Sequence, residues 1–279
     1  MKNFILRAIS GAAYVALIVA SILLLDNSPV MFLIVFCLFA ALGINEMLRM
    51  DGQQDTESWL VMAIDMLGGA GLVVAFHLLN DDSVRNGLWL LPIAGYMVVR
   101  FIVQLYRPRQ NALHSLERSL FTVGYVALPI ALLNSIIAIT APRILLAVFI
   151  FIWINDTGAF LVGITLGRHR LFERISPKKS WEGFFGGLAA CVAAAFAFDK
   201  WCNEFFQVPE IATWIGLSIV VCLAATMGDL VESLIKRTVG VKDSGKLIPG
   251  HGGVLDRIDS LLLVSPAVLI YLILMVYNN

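Results

Sequence analysis

Charge is what this 279-residue sequence has least of: Asp, Glu, Lys and Arg make up 14% of it, against about 25% in an ordinary soluble domain. With 59% hydrophobic residues and a mean hydropathy of +0.85, that shortage excludes a soluble globular chain and points to an all-α polytopic membrane protein. Net charge is missing too. Twenty Lys and Arg balance twenty Asp and Glu, so no global field favours nucleic acid or an acidic partner, and any ionic chemistry is local. Cysteine is scarce: Cys37, Cys191, Cys202 and Cys222 lie in or beside apolar runs without CxxC spacing, which argues against a zinc site or redox pair and leaves them as small core hydrophobes. There is no internal repeat, low-complexity tract or domain-separating linker, so a single membrane domain over 1–279 is the economical reading.

What the sequence does have is apolar length. A membrane-crossing helix needs about 20 mainly apolar residues, and nine runs qualify: 4–25, 29–48, 58–80, 88–106, 119–140, 143–166, 183–200, 212–235 and 258–277. The first exceeds the apolar core of a cleavable signal, about 7 to 15 residues, and is expected to stay as an anchor. Residues 1–140 hold amino-terminal helices; residues 141–279 hold the region expected to do chemistry, with two long charged loops at 167–182 and 236–257. Of the 20 Lys and Arg, 16 fall in connectors on the side of the N-terminus, and Arg85, Arg143 and Lys200 on the other. Cytoplasmic loops retain positive charge, which puts the N-terminus and both charged loops in the cytoplasm and the C-terminus outside. Arg100, inside the fourth run near its inner end, is expected to snorkel.

At the end of the eighth run Asp229, Glu232, Ser233 and Lys236 fall within about 60° of one helical line, followed by Arg237. Carboxylates that deep in an apolar helix are costly and usually face a cavity, a partner or an ion; the plainer alternative is that Lys236 and Arg237 anchor the helix at the interface with the acids as i, i+4 partners. The ninth run opens with Asp256, Arg257 and Asp259, either caps of the helix or members of an acidic cluster formed with the preceding antiparallel helix. Hard oxygen ligands of this kind suit Mg²⁺, which takes one or two protein carboxylates and fills its shell with water and phosphate. The expected ligands are Asp229, Asp256, Asp259 and Glu232, with room for a second cation such as K⁺.

Between those helices Lys242, Asp243, Ser244, Lys246, His251, Gly252 and Gly253 belong to a stretch with five glycines. It reads as a flexible connector or as a phosphate cradle of backbone amides and Lys charge, though without P-loop spacing. His251 is a candidate donor to a phosphate oxygen or leaving group. In the other charged loop Ser176, Lys178, Lys179 and Ser180, followed by Trp181 and Glu182, set hydroxyls and ammoniums at the height of a lipid phosphate; the alternative is simple anchoring to anionic headgroups. Asp156 interrupts the sixth run about 15 Å from its end, as a further ligand or the partner of a cation. Asp65 and Glu46 are weaker candidates of that kind, either one a structural partner for Arg100. A secondary transporter would use Asp65, Asp156, Asp229 and Asp256 as an ion path, but most charges gather at one face and no inverted repeat is visible.

Ser233–Arg237, Lys242–Gly245 and Pro249–Asp259 together resemble the signature of the phosphatidate cytidylyltransferases (CDP-diglyceride synthetases). Ser176–Gly183 and Asp156–Phe160 are similar to further blocks of that family, so the resemblance covers roughly residues 150–266. It implies a multi-pass enzyme of the cytoplasmic (inner) membrane that transfers a cytidylyl group from CTP to phosphatidate. Two phosphate oxygens then exchange at phosphorus, and no covalent enzyme intermediate is needed. On that resemblance Asp229, Asp256 and Asp259 hold metal; Lys236, Arg237, Lys242 and Lys246 neutralise the triphosphate; Ser176, Lys178 and Ser180 meet the phosphatidate headgroup; and Lys179, Glu182, Asp156, Asp243, Ser244, Gly252, Gly253 and Arg257 complete the substrate sites. It also implies a homodimer. A CTP-dependent polyprenol kinase is the nearer rival, and the DGxxAR block of CDP-alcohol phosphotransferases is absent, since Asp51-Gly52-Gln53-Gln54 does not continue as one.

Overall fold

The computed structural model describes residues 2–25, 27–50, 58–80, 87–107, 111–206, 208, 210–245, 247 and 252–278, with side chains omitted for 2–8 and 276–278. Each of the nine apolar runs coincides with a helix. Among the described residues seven helical stretches are long and apolar enough to cross a membrane, and two shorter apolar helices belong to the first and fourth runs. The chain is therefore a multi-pass membrane protein. Its contacts divide into two compact units, Met1–Ala138 with Val239–Ile258, and Ile139–Thr238 with Asp259–Asn279. The charged loop after residue 238 thus groups with the amino-terminal helices.

In the first unit, α1 (Lys2–Leu23), α2 (Val30–Met50), α3 (Trp59–Leu79) and α4 (Leu90–Leu105) are followed by a helix that begins at α5 (Ala112–Thr122), passes through a π-helical turn at Val123–Ala127 and ends as α6 (Leu128–Ile139). Helices in lipid associate by close packing and interhelical hydrogen bonds, because the tails are as apolar as the side chains. Phe32, Phe36 and Phe39 pack along α2 at centroid spacings of 4.4 and 5.7 Å, the first pair tilted and the second edge to face, and Tyr14 of α1 stacks on Phe39. The π-helical turn sits against glycines: a methyl on Gly43 would come within 2.8 Å of Val126, and one on Gly69 within 3.2 Å of Ala127.

Arg100 does not snorkel. Its side chain is 1% exposed and paired with Asp65 of α3 at 3.4 Å. It donates to Ser119 Oγ, Gln104 Oε1, Ser115 O and Ser115 Oγ at 2.8–3.1 Å. Asp65 also accepts from Tyr96 and Ser119. A buried charge is tolerated only when its partner and hydrogen bonds are supplied together, and here three helices supply them. That explains why α5 starts at Ala112, seven residues before the apolar run: its first two turns are amphipathic and turn Ser115 and Ser119 inward. Glu46, the other partner considered for Arg100, is engaged elsewhere.

In the second unit α7 (Pro142–Leu166) leads into an antiparallel hairpin, β1 (Arg170–Phe172) and β2 (Ser176–Ser180), which feeds α8 (Trp181–Trp201). The hairpin is a departure from the all-helical expectation, which left 167–182 as a loop. The short α9 (Asn203–Phe206), α10 (Ile211–Thr238) and α11 (Leu255–Asn278, its first turn lying in the first unit) complete the chain. Small residues let α7 and α8 touch: methyls on Gly158 and Gly187 would lie 2.9 Å from Ala190 Cβ and from the Asn155 carbonyl, respectively. Gly183 and Gly187 form the GxxxG spacing that permits such approach. Phe151, Phe198, Phe206 and Trp214 fill the other end of the unit with centroids 5.0–6.0 Å apart.

Candidate active site

The second unit contains a cavity of about 330 Å³ between α7, α8, β2 and α10. Its polar part carries Asp156, Lys178, Lys179, Ser180, Thr226 and Asp229; its apolar part carries Phe160, Ile164, Leu171 and Phe184. Asp156 lies ten residues from the end of α7 and Asp229 nine from the end of α10, so both sit about 14–15 Å along their helices. Phe160 and Ile164 are each 64% exposed on the outer face of α7, so the apolar side of the cavity adjoins a surface suited to acyl chains.

Lys179 crosses the cavity. Its Nζ is 2.7 Å from Asp229 Oδ2 and 3.4 Å from the Thr226 carbonyl. Asp229 also accepts from Ser233 one turn on, while Glu232 pairs with Lys236 on the same helix. Both members of that second pair are buried, which removes Lys236 from the surface position expected for a residue that meets triphosphate. Asp259 on α11 is acted on by the negative charges of Asp229, Glu232 and Asp156. Lys179 and Lys236 answer two of those charges. Among the described residues no three acidic, histidine or cysteine side chains are gathered tightly enough to cage a cation by themselves. The donors are nevertheless hard oxygens, as a divalent cation that keeps water and phosphate in its shell requires.

Other expected residues have structural partners. Ser180 is the N-cap of α8, its Oγ accepting from Gly183 N at 3.1 Å. Glu182 turns back to the residues just before β1, accepting from the backbone N–H of Arg168 and His169 and lying 2.6 Å from His169 Nδ1. Ser176 opens β2 and Arg237 is exposed at the end of α10; neither lines the cavity. Asp65, part of the transporter path, is committed to Arg100.

In the first unit the loop from Val239 folds around two carboxylates. Asp256 accepts from Gly253 N at 2.8 Å and Ser244 N at 3.1 Å, and Gly252 reaches it with φ +86°, a conformation that favours glycine. Glu46 of α2, 6% exposed, accepts from Val254 N and Leu255 N at 2.9 Å and from Ser244 Oγ at 3.0 Å. Lys242, Asp243 and Arg257 are exposed beside these contacts, and the Arg257 carbonyl accepts from Tyr14. Lys246 and His251 lie outside the described residues. Glu46 was read from sequence as a weaker candidate of the same kind as Asp156, a further ligand or the partner of a cation, with Arg100 as its structural pair. The signal available was a lone acid in the apolar run 29–48, which says that a partner exists but not where.

The sequence matches the profile of the cytidylyltransferase family over residues 5–275. The chain belongs to the cytidylyltransferase family. As a member it is an enzyme, a nucleotidyltransferase. Among its relatives, a Staphylococcus epidermidis protein named phosphatidate cytidylyltransferase is 32% identical over 269 residues, 94% of this chain and 96% of its own. Proteins of that name from Haemophilus influenzae and Staphylococcus aureus are 47% identical over 124 residues and 44% over 131, covering 44% and 46% of this cytidylyltransferase and 43% and 48% of their own lengths.

Proposed function

We propose that this cytidylyltransferase acts on phosphatidate, transferring CMP from CTP to give CDP-diacylglycerol and pyrophosphate. The cavity of the second unit carries the reading, because it joins Lys178, Lys179 and the carboxylates of Asp156 and Asp229 to an apolar wall of Phe160, Ile164 and Phe184. That combination suits a phosphate at the head of acyl chains. The full-length similarity to proteins named for this activity supports it.

A phosphatidate oxygen attacks the α-phosphorus of CTP, the bond to the bridging oxygen breaks, and pyrophosphate leaves with the electron pair. The chain positions both phosphates and offsets their charge. Lys178 and Lys179 hold the lipid phosphate. Asp229 and Asp259 would hold Mg²⁺, with Glu232 and Asp256 as the further carboxylates read for a cation. A divalent cation held there would supply charge to phosphate oxygens and to the leaving pyrophosphate, and a second cation such as K⁺ would add to it. Lys242 meets the triphosphate from the loop, with Lys246, Arg237 and His251 as its further partners, while Ser244, whose O–H and N–H both go to carboxylates, holds the loop in shape. We further read nine crossings of the cytoplasmic (inner) membrane, N-terminus inside and C-terminus outside, and a homodimer as the assembly.

The test is purified protein in detergent with radiolabelled CTP, phosphatidate and Mg²⁺. CDP-lipid and pyrophosphate are expected, lost on chelation and reduced by orders of magnitude in Asp229→Asn. CDP with a phosphorylated lipid would instead identify a CTP-dependent lipid kinase.

A further inference from the structure

We infer that Glu46 is a positioning residue for the nucleotide: its carboxylate, on α2, shapes the glycine-rich loop and the first turn of α11 on which the triphosphate is handled. This rests on the assignment of that loop to CTP made above. A helix begins with N–H groups that have no partner within the helix, and an oxygen-bearing residue at the N-cap ordinarily accepts from one of them. α11 begins at Leu255, and the preceding Val254 has no side-chain acceptor. The acceptor arrives from 208 residues away. Glu46 Oε1 takes the Val254 N–H and Oε2 takes the Leu255 N–H together with the Ser244 hydroxyl. A negative charge at that position is also favoured by the helix dipole.

The loop is cut to admit this carboxylate. A methyl on Gly245 would stand 2.6 Å from Glu46 Oε1, and one on Gly253 would run into Ser244 Oγ and Glu46 Oε2. Ser244 is held on two sides, its hydroxyl by Glu46 and its amide by Asp256. Glu46 therefore fixes where Ser244 stands, and with it the exposed neighbours Lys242 and Asp243. The residue touches none of the reacting atoms; it acts through the loop.

Glutamine at this position tests the chemistry closely. One of its two terminal atoms accepts and the other donates, so in either orientation one of the Val254 and Leu255 amides meets an N–H rather than an oxygen. Glu46→Gln is expected to raise the KM for CTP about tenfold and Glu46→Ala about 10–100-fold, the range that follows from losing hydrogen bonds to a charged acceptor, while the KM for phosphatidate stays within about twofold. Asn134→Ala is the control. It removes buried bonds to Val73 O and Ala131 O in the same unit without touching the loop, and is expected to lower thermal stability and leave both KM values in place. Hydrogen–deuterium exchange of the peptide 239–258 in the intact protein provides a readout independent of turnover, with faster exchange expected in Glu46→Ala and unchanged exchange in Asn134→Ala. Unchanged exchange and unchanged KM for CTP in Glu46→Ala overturn the inference even if the parent makes CDP-lipid. Equal movement of both KM values, as for general destabilisation, overturns it as well. A parent protein that makes no CDP-lipid removes the assigned activity, and the exchange arm then decides alone whether Glu46 orders the loop.

Discussion

Substituting alanine for Gly228 inserts one methyl where α10 meets the backbone of α11. The new Cβ would stand 2.8 Å from the Asp259 carbonyl oxygen and 3.0 Å from Ser260 Cα and O. Ordinary contact begins near 3.4 Å, so the shortfall is ~0.6 Å, and backbone atoms cannot rotate away. The helices must part or shift, at a cost of about 1–3 kcal/mol. Asp229 is the next residue and Asp259 carries the obstructing carbonyl, so the strain falls on the two carboxylates assigned to the cation. A displacement approaching 1 Å costs about 10²-fold in rate, and the expectation is a loss of that order in kcat for CDP-lipid formation at saturating Mg²⁺. Gly216→Ala provides the internal comparison. It lies on the same helix and faces the same partner, about 18 Å away, but the obstacle is the hydroxyl end of the Tyr271 side chain, which can swing aside at the expense of its bond to Thr213 O. Gly216→Ala is expected to lower the melting temperature slightly and keep activity. Equal activity of the two variants, measured on protein of confirmed fold, would refute the link between helix spacing at Gly228 and the carboxylate pair.

Two other outcomes follow from the same geometry. Arg100→Met leaves Asp65 buried without its cation and is expected to destabilise the protein by about 3–5 kcal/mol, whereas Arg100→Met with Asp65→Leu recovers most of that loss; thermal unfolding in detergent measures both. Lys179→Met removes the ammonium facing Asp229 and is expected to raise the KM for phosphatidate about 10–100-fold through loss of a charged contact, with the KM for CTP little changed, as steady-state kinetics with each substrate varied in turn will read.

How much of this was legible in the sequence depends on the range of the interaction involved. Apolar runs of about 20 residues are local properties of the chain, and each is met by a helix. The start of α5 was misjudged by seven residues because Ser115 looks like a loop residue until Arg100 is placed beside it. The hairpin at 170–180 has three and five residues per strand with four exposed charged residues from Arg170 to Lys178, and so shows no alternation from which to read a strand. The π-helical turn at Val123–Ala127 depends on the glycines of two other helices. In the site, Asp229, Glu232, Ser233 and Lys236 do share a helix face, as the 3.6-residue period dictates, and the i, i+4 pairing of Lys236 with Glu232 was the plainer alternative read there, but the sequence could not say that Lys179 would turn to Asp229. Ser180 was read as a ligand for phosphate; its position before Trp181-Glu182-Gly183 also fits an N-cap, and that is how it is used. Glu46 was the least legible, because its three partners lie 198 to 209 residues along the chain.

That distance is also an interval of time. Ribosomes add about 5–20 residues each second, so the 208 residues between Glu46 and Val254 take some 10–40 s to make. Throughout that interval α2 already exists, and its carboxylate has none of the amides that will finally surround it. A carboxylate at mid-membrane costs several kcal/mol, but Glu46 is only four residues from the end of α2 at Met50, about 6 Å along the axis. There, water and headgroups can attend it until the loop is synthesised. The depth of Glu46 is thus a compromise between the finished protein, which needs a dry acceptor, and the nascent one, which has to wait for its donors.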